Sequence, residues 1–250
     1  MIDLQFKSVA LIPARSGSKR LKDKNIKRLL GHPLIAYTIV SAMESRLFNE
    51  IVVSTDSEEY AKIAKHYGAK IRSIRPKDIS GEHSPDIKWV SHIMQNYLDY
   101  DCYCILRPTS PFRKSVTIQR AFKMFSQLNN KNIDSLRAVE LCSQHPGKMW
   151  TIKNDIIEPY TIGDINGIPF HSNQYSVLPK VYVQNASLEI AWTKTFLKMK
   201  SISGNKIAPF FTNYEEGFDI NTEYDWQVAK TMIKENPTIL TRIKKKPYSK

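Results

Sequence analysis

Long apolar runs are missing from this chain of 250 residues: none reaches the roughly 20 consecutive hydrophobic residues that a helix needs to cross a bilayer. The opening, from Met1 to Arg15, also lacks the basic, apolar and small-residue order of a secretory signal, so the expectation is a cytoplasmic protein without a membrane partner. Cysteine is scarce, with three residues in all. Cys102 and Cys104 stand two apart in an apolar stretch, which puts both on one face of a strand and favours burial over metal binding. The six histidines show no His-x-x-x-His or His/Cys ligand spacing, which argues against a zinc site. Neither a Walker loop, nor a Gly-x-Gly-x-x-Gly dinucleotide turn, nor a Gly-x-Ser-x-Gly hydrolase elbow occurs. The sequence holds no internal repeat and no low-complexity domain.

Acidic residues are outnumbered: 37 Lys and Arg against 24 Asp and Glu give a net charge of +13, which favours anionic partners through the long-range field. Nucleic acid is one such partner and a nucleoside triphosphate another. The tryptophans are not interleaved with basic residues in one segment, so nucleic-acid binding is the weaker expectation. Part of the charge sits in the tail from Arg242 to Lys250, read as solvated and frayed.

Strand-like and helix-like segments alternate. Strands are expected over 7–12, 50–54, 69–74, 101–106 and 133–140, with helices from Pro33, over 58–67 behind a Ser57 cap, up to about Leu98, and over 115–128. This alternation specifies an α/β fold with a mostly parallel central sheet. From about Leu141 the rhythm breaks into short polar pieces rich in Pro and Gly, and it resumes with strands over 187–192 and 207–213 and a final helix capped by Thr222. The expected organisation is therefore a catalytic domain of residues 1–140 and 187–250 around an insertion, 141–186.

In such a sheet, the loops at the carboxyl ends of strands line the ligand crevice. The first, Ala14-Arg-Ser-Gly-Ser-Lys-Arg20, places backbone N–H groups and three cations on one turn, as a polyphosphate requires, though alone it also reads as an ordinary solvated turn. The rigid Arg107-Pro-Thr-Ser-Pro-Phe-Arg113 turn follows a later strand. Asp219-Ile-Asn-Thr222, read alone, is a turn and helix cap.

Taken together, Ile12-Pro-Ala-Arg-Ser-Gly-Ser-Lys-Arg20, Lys24-Asn25, Gly31-x-Pro33-Leu34, Val52-Val-Ser-Thr-Asp56, Arg75-Pro76, Arg107 to Arg113, His145-Pro146 with Lys148, and Phe218 to Glu223 resemble, in order, the acylneuraminate cytidylyltransferase family of CMP-sialic acid synthetases. The resemblance implies a Rossmann-like nucleotidyltransferase fold in which the insertion makes a homodimer. It also implies transfer of CMP from CTP to the anomeric hydroxyl of an acidic nine-carbon-type sugar, with Mg²⁺ or another divalent cation. By position, it assigns catalysis to Arg15, Lys24 and Asp219. Nucleotide binding falls to Ala14, Arg15, Ser16, Gly17, Ser18, Lys19, Arg20, Asn25, Arg75, Ser84 and Asp86. The sugar goes to Arg107, Thr109, Ser110, Lys148 and Gln174, and the metal to Asp219 and Asn221.

The chain departs from the family pattern at three places. Arg107 stands where many relatives carry Gln; it either meets the carboxylate of the acidic sugar, which is the preferred expectation, or turns to a local carboxylate. Asn221 replaces a second Asp, and a later sugar-contacting Arg has no counterpart in the stretch from Val183 to Ser187. These leave open a different sugar or nucleotide, or a nucleotide-binding relative with impaired turnover.

Overall fold

The computed structural model of the chain describes residues 6–128 and 132–249. The opening residues Met1 to Gln5 and the final Lys250, both part of the sequence reading, lie outside the described residues. Six strands form the central sheet: β1 (Ser8–Pro13), β2 (Glu50–Ser54), β3 (Cys102–Ile105), β4 (Ser135–Leu141), β5 (Tyr182–Trp192) and β6 (Ile207–Phe211), in the order β6-β4-β5-β3-β1-β2. β1 runs parallel to both of its neighbours, pairing Leu11 with Val52 and with Ile105, while β5 lies antiparallel to β3. The architecture is α/β with a mostly parallel sheet, as the alternation of segments required.

Because β1 is covered on both faces it is apolar from Val9 onward, and its pleat divides the core. Ala10 and Ile12 pack with Cys102 and Cys104 against α1 (Leu34–Ser45), α2 (Glu58–His66) and α4 (Ser115–Gln127). Val9 and Leu11 pack on the opposite face with Trp89, Val90, Ile93 and Met94 of α3 (Asp86–Met94). Both cysteines are buried, and burial pushes their thiols up, so they serve as small core residues. A short α5 (Thr193–Met199), not foreseen from the sequence, follows β5, and α6 (Glu223–Glu235) is the last α-helix among the described residues. Local chemistry sets these helix starts: Ser57 Oγ accepts from the Tyr60 N–H, and Thr222 with Asp225 forms a reciprocal capping box.

Two expectations need correction. The strand expected over 69–74 reduces to one parallel bridge from Lys70 to Val52. Beyond it the segment is held by one backbone bond, from the Arg75 N–H to the Thr55 carbonyl at 2.7 Å, and by side chains, with Arg72 on Glu50 and the Tyr97 hydroxyl and Arg75 on Ser54. Nor is the basic tail frayed: Arg28 donates to the Tyr248 carbonyl at 2.6 Å, the Tyr248 N–H donates to the Tyr67 hydroxyl at 3.2 Å, and Tyr248 and Ile243 pack on the core.

Val139–Gln184 forms a compact unit of its own. In it, Trp150–Lys153 pairs antiparallel with Ile156–Pro159, and Asp164–Ile165 with Ile168–Pro169. Both hairpins turn on two residues of positive φ, Asn154 with Asp155 and Asn166 with Gly167, the geometry of a tight primed turn. Ile152, Ile156, Ile157 and Ile162 in this unit are exposed, Ile162 at 93%. Among the described residues, no helix is long and apolar enough to cross a membrane.

Candidate active site

A cleft of about 230 Å³ opens where Pro13 ends β1 and Arg107 follows β3. Arg15, Lys24, Arg75 and Arg107 line it against Glu82 and Asp86, so its walls carry a cationic surplus suited to a polyanion.

The loop after β1 is fixed from behind. The Ala14 N–H donates to the Ser54 carbonyl at 2.8 Å, and the Ser16 N–H and hydroxyl both donate to Asp56, at 2.7 and 2.9 Å. Asn25 donates its amide to the Arg15 carbonyl at 3.1 Å, and Gly17 takes a φ of 70° that a larger residue would adopt only under strain. Ala14 and Ser16 therefore shape the loop through backbone and buttress contacts, while Arg15, Ser18, Lys24 and Asn25 line the cleft. Lys19 and Arg20 are not among the lining residues: Lys19 pairs with Glu82 at 2.6 Å on the surface, and Arg20 reaches Asn221 at 3.5 Å. Burial pushes the Lys24 ammonium below the ordinary lysine value, an effect only partly countered by Asp219.

Arg75 is buried, not the surface charge that its residue type suggests. Its guanidinium donates to the Ser54 hydroxyl and carbonyl at 3.0 and 2.8 Å and lies 5.3 Å from the Trp89 ring centroid. Burial brings its pKa down to about 10. Ser84 Oγ is buried without a hydrogen-bond partner, so this part of the wall holds an unused donor and acceptor.

Arg107 takes the local carboxylates that the sequence left as its second option: Nη2 donates to Asp86 at 2.5 Å and to Glu189 at 3.1 Å. Asp86, expected on the nucleotide, also accepts from the Trp89 indole at 2.8 Å. Burial raises the Asp86 carboxyl, but Arg107 and the indole outweigh it and hold the carboxyl below the usual range. Thr109 lines the cleft, whereas Ser110 is fully buried and is not among the lining residues. Arg113 anchors the loop from within the core, donating to the carbonyls of Ser187 and of Arg107 and to the Thr38 hydroxyl. Lys148 and Gln174 belong to the Val139–Gln184 unit, where Lys148 donates to the His171 carbonyl at 3.1 Å.

The Ile220 N–H donates to the Thr109 carbonyl at 2.8 Å, tying the Asp219 segment to the loop after β3. Lys24 donates to Asn221 Oδ1 at 2.9 Å, and the Asn221 amide donates to Asp219 Oδ2. Asp219 Oδ1 is buried without a hydrogen-bond partner. An orphaned hard oxygen beside Asn221, which the Lys24 ammonium also reaches, fits a cation such as Mg²⁺, which binds one or two carboxylates and completes its shell with water and phosphate. Among the described residues no group of three or more His, Cys, Asp or Glu gathers.

The sequence profile of the family described as cytidylyltransferase matches residues 9–149. The chain belongs to the cytidylyltransferase family. It is 33% identical to the CMP-N,N'-diacetyllegionaminic acid synthase of Legionella pneumophila over 93% of this chain and 98% of that protein. It is 32% identical to the N-acylneuraminate cytidylyltransferase of Escherichia coli O18:K1:H7 over 92% of this chain, and spans about half (52%) of that longer relative. Among solved structures, a CMP:2-keto-3-deoxy-manno-octonic acid synthetase complexed with CTP superposes with a TM-score of 0.67, covering 92% of this chain and 99% of that one at 14% identity, which is a likeness of fold. The family segment contains the loop after β1, Arg75, Asp86 and Arg107, but not Glu189 or Asp219.

Two residues behind the cleft have no place in the motifs, Arg137 and Glu189, and two more, Asp56 and Arg113, stand in motifs without a role assigned to them. Glu189 carried a signal, a lone carboxylate in the apolar run Leu188-Glu-Ile-Ala-Trp192, since a charge in a buried strand requires a partner. Asp56 and Arg113 were visible as the ends of motifs, but their contacts are made across the fold.

Proposed function

We propose that this chain transfers CMP from CTP to the anomeric hydroxyl of a nonulosonic acid of the sialic-acid type, releasing pyrophosphate. The observation that carries this reading is the convergence, in one cleft, of the cationic loop after β1 with Arg107 after β3. Arg15, Ser18 and Lys24 hold the triphosphate and stabilise the charge that develops on departing pyrophosphate, because donors fixed in advance need no reorganisation during reaction. The sugar hydroxyl gives up its proton to water and its oxygen bonds to the α-phosphorus as the bond from that phosphorus to the bridging oxygen breaks, and the electron pair leaves on pyrophosphate. The wall at Arg75, Ser84 and Asp86 receives the nucleoside, and Arg107 with Thr109 faces the acidic sugar.

Asp219, with Asn221 beside it, would hold Mg²⁺ or another divalent cation, which when bound neutralises phosphate charge and orients the α-phosphate. The reading includes a homodimer built through Val139–Gln184, supported by that unit's exposed isoleucines, with Lys148 and Gln174 serving the neighbouring copy's sugar. The reaction belongs in the cytoplasm, where CTP is available.

Pyrophosphate release is the test, with CTP, UTP, ATP and GTP against neuraminate-, legionaminate- and other ulosonate-type acids. Turnover confined to CTP and one class of acid is expected. Tight CTP binding without turnover on any acid would favour instead an impaired nucleotide-binding relative, the alternative that Asn221 motivates.

A further inference from the structure

Glu189 lies on β5 directly beside Ile105, the last residue of β3. Alternation along the chain puts residue 107 on the same face as residue 105, so the Glu189 carboxylate rises beneath Arg107. Only 10% of that side chain is exposed, and a carboxylate so enclosed must be paired. It is paired twice: Oε1 accepts from Arg107 at 3.1 Å, and Oε2 accepts from Arg137 at 2.5 Å. Arg137 is itself pinned by the Ser203 hydroxyl at 2.5 Å.

Arg107 meets both of its carboxylates through a single nitrogen, Nη2. Among the described residues no hydrogen bond to its Nε or Nη1 is present, and neither atom is sealed from solvent, while the residue itself lines the cleft. Two acceptors on one nitrogen fix the guanidinium plane and leave the N–H groups of Nε and Nη1 for a ligand, each as a single charge-assisted donor.

We propose that Glu189, backed by Arg137, is a positioning residue that presents the free N–H groups of Arg107 to the carboxylate of the acceptor sugar and so sets the enzyme's preference for acids. This rests on the activity proposed above. Glu189 touches no substrate; it acts through Arg107.

The test is steady-state pyrophosphate release with the full chain, comparing Glu189→Gln with wild type. The KM for the sugar acid should rise roughly tenfold, the scale on which orienting partners act at other sites, with the KM for CTP unchanged. In an Arg107→Gln background, Glu189→Gln should add nothing. Because Gln leaves two arginines facing each other, the pair Glu189→Gln with Arg137→Gln, which restores the balance of charge, is measured alongside it. That pair should melt like wild type yet retain the raised sugar KM.

An unchanged sugar KM in Glu189→Gln, an equal rise in both KM values, or a full tenfold effect persisting without Arg107 would overturn the assignment. So would recovery of the wild-type sugar KM in the balanced pair. A wild-type chain that turns over no sugar acid overturns the proposed activity and this role together, whereas an active wild type with an indifferent Glu189→Gln overturns only the role.

Discussion

The loops that leave β1 and β3 are built in opposite ways. In the first, the backbone is clamped by Asp56 and Asn25, while Arg15 and Ser18 are turned into the cleft. In the second, the cations themselves are clamped: Arg113 is sealed in the core and Arg107 is shared by Asp86 and Glu189. On the proposed reading the first loop meets a triphosphate, which offers many oxygens, so a rigid backbone with Arg15 turned into the cleft suffices to receive it. A single carboxylate has to be met at one place and in one plane, and that demands an oriented cation.

The comparison can be broken most severely at the segment joining the two loops. Asp219→Ala removes the orphaned carboxylate oxygen, and turnover at limiting Mg²⁺ should fall by about a hundredfold or more, the scale of losing one charge-stabilising group, with an unchanged melting temperature. Wild-type turnover in a Mg²⁺ titration would contradict the metal assignment.

Arg113→Met empties the second loop's buried anchor. The side chain makes three hydrogen bonds from a fully buried position, and stripping a charged donor from buried acceptors should cost about 3 kcal/mol, read by urea denaturation. A loss below about 1 kcal/mol would mean that those carbonyls find other donors.

Asp56→Ala releases the first loop instead. The KM for CTP should rise roughly fivefold with the sugar KM unmoved, as expected for lost positioning and not lost contact. An effect on the sugar KM of similar size would erase the distinction between the loops.

The smallest effect lies away from the cleft, at Glu50. Burial raises its carboxyl, but Lys70, Tyr97 and Arg72 outweigh burial and bring its pKa to about 2 from 4.5. A carboxyl depressed in the folded state contributes stability that is complete above the unfolded value and is lost as pH falls through the folded one. Thermal melts between pH 5 and pH 2 should therefore show a loss that Glu50→Gln flattens. Parallel pH curves for the two proteins would mean that Glu50 contributes nothing to the acid sensitivity of the fold.

The same contrast explains what was legible in the sequence. The first loop, its strand and the helix caps are written in contiguous residues: Ser57 caps α2 three residues from its partner, and β1 reads as apolar because both of its faces are covered. The hairpin turns at Asn154-Asp155 and Asn166-Gly167 were also local, but they went unread inside a segment treated as irregular. The second loop could not be read in this way. Arg107 reaches Glu189 across 82 positions and Arg113 reaches Ser187 across 74, so residue type alone left Arg107 with two destinations. The docked tail and the shortened strand after α2 have the same origin, since Tyr248 and Arg72 are held by residues distant in the chain.

The measurement that bears most directly on this division of labour is a paired kinetic comparison of Arg15→Ala and Arg107→Gln, with both KM values determined for each. Arg15→Ala should raise the KM for CTP and leave that for the sugar acid alone, and Arg107→Gln should do the reverse. If both substitutions raised the same KM, the two loops would serve one substrate, and no division of labour between them would exist.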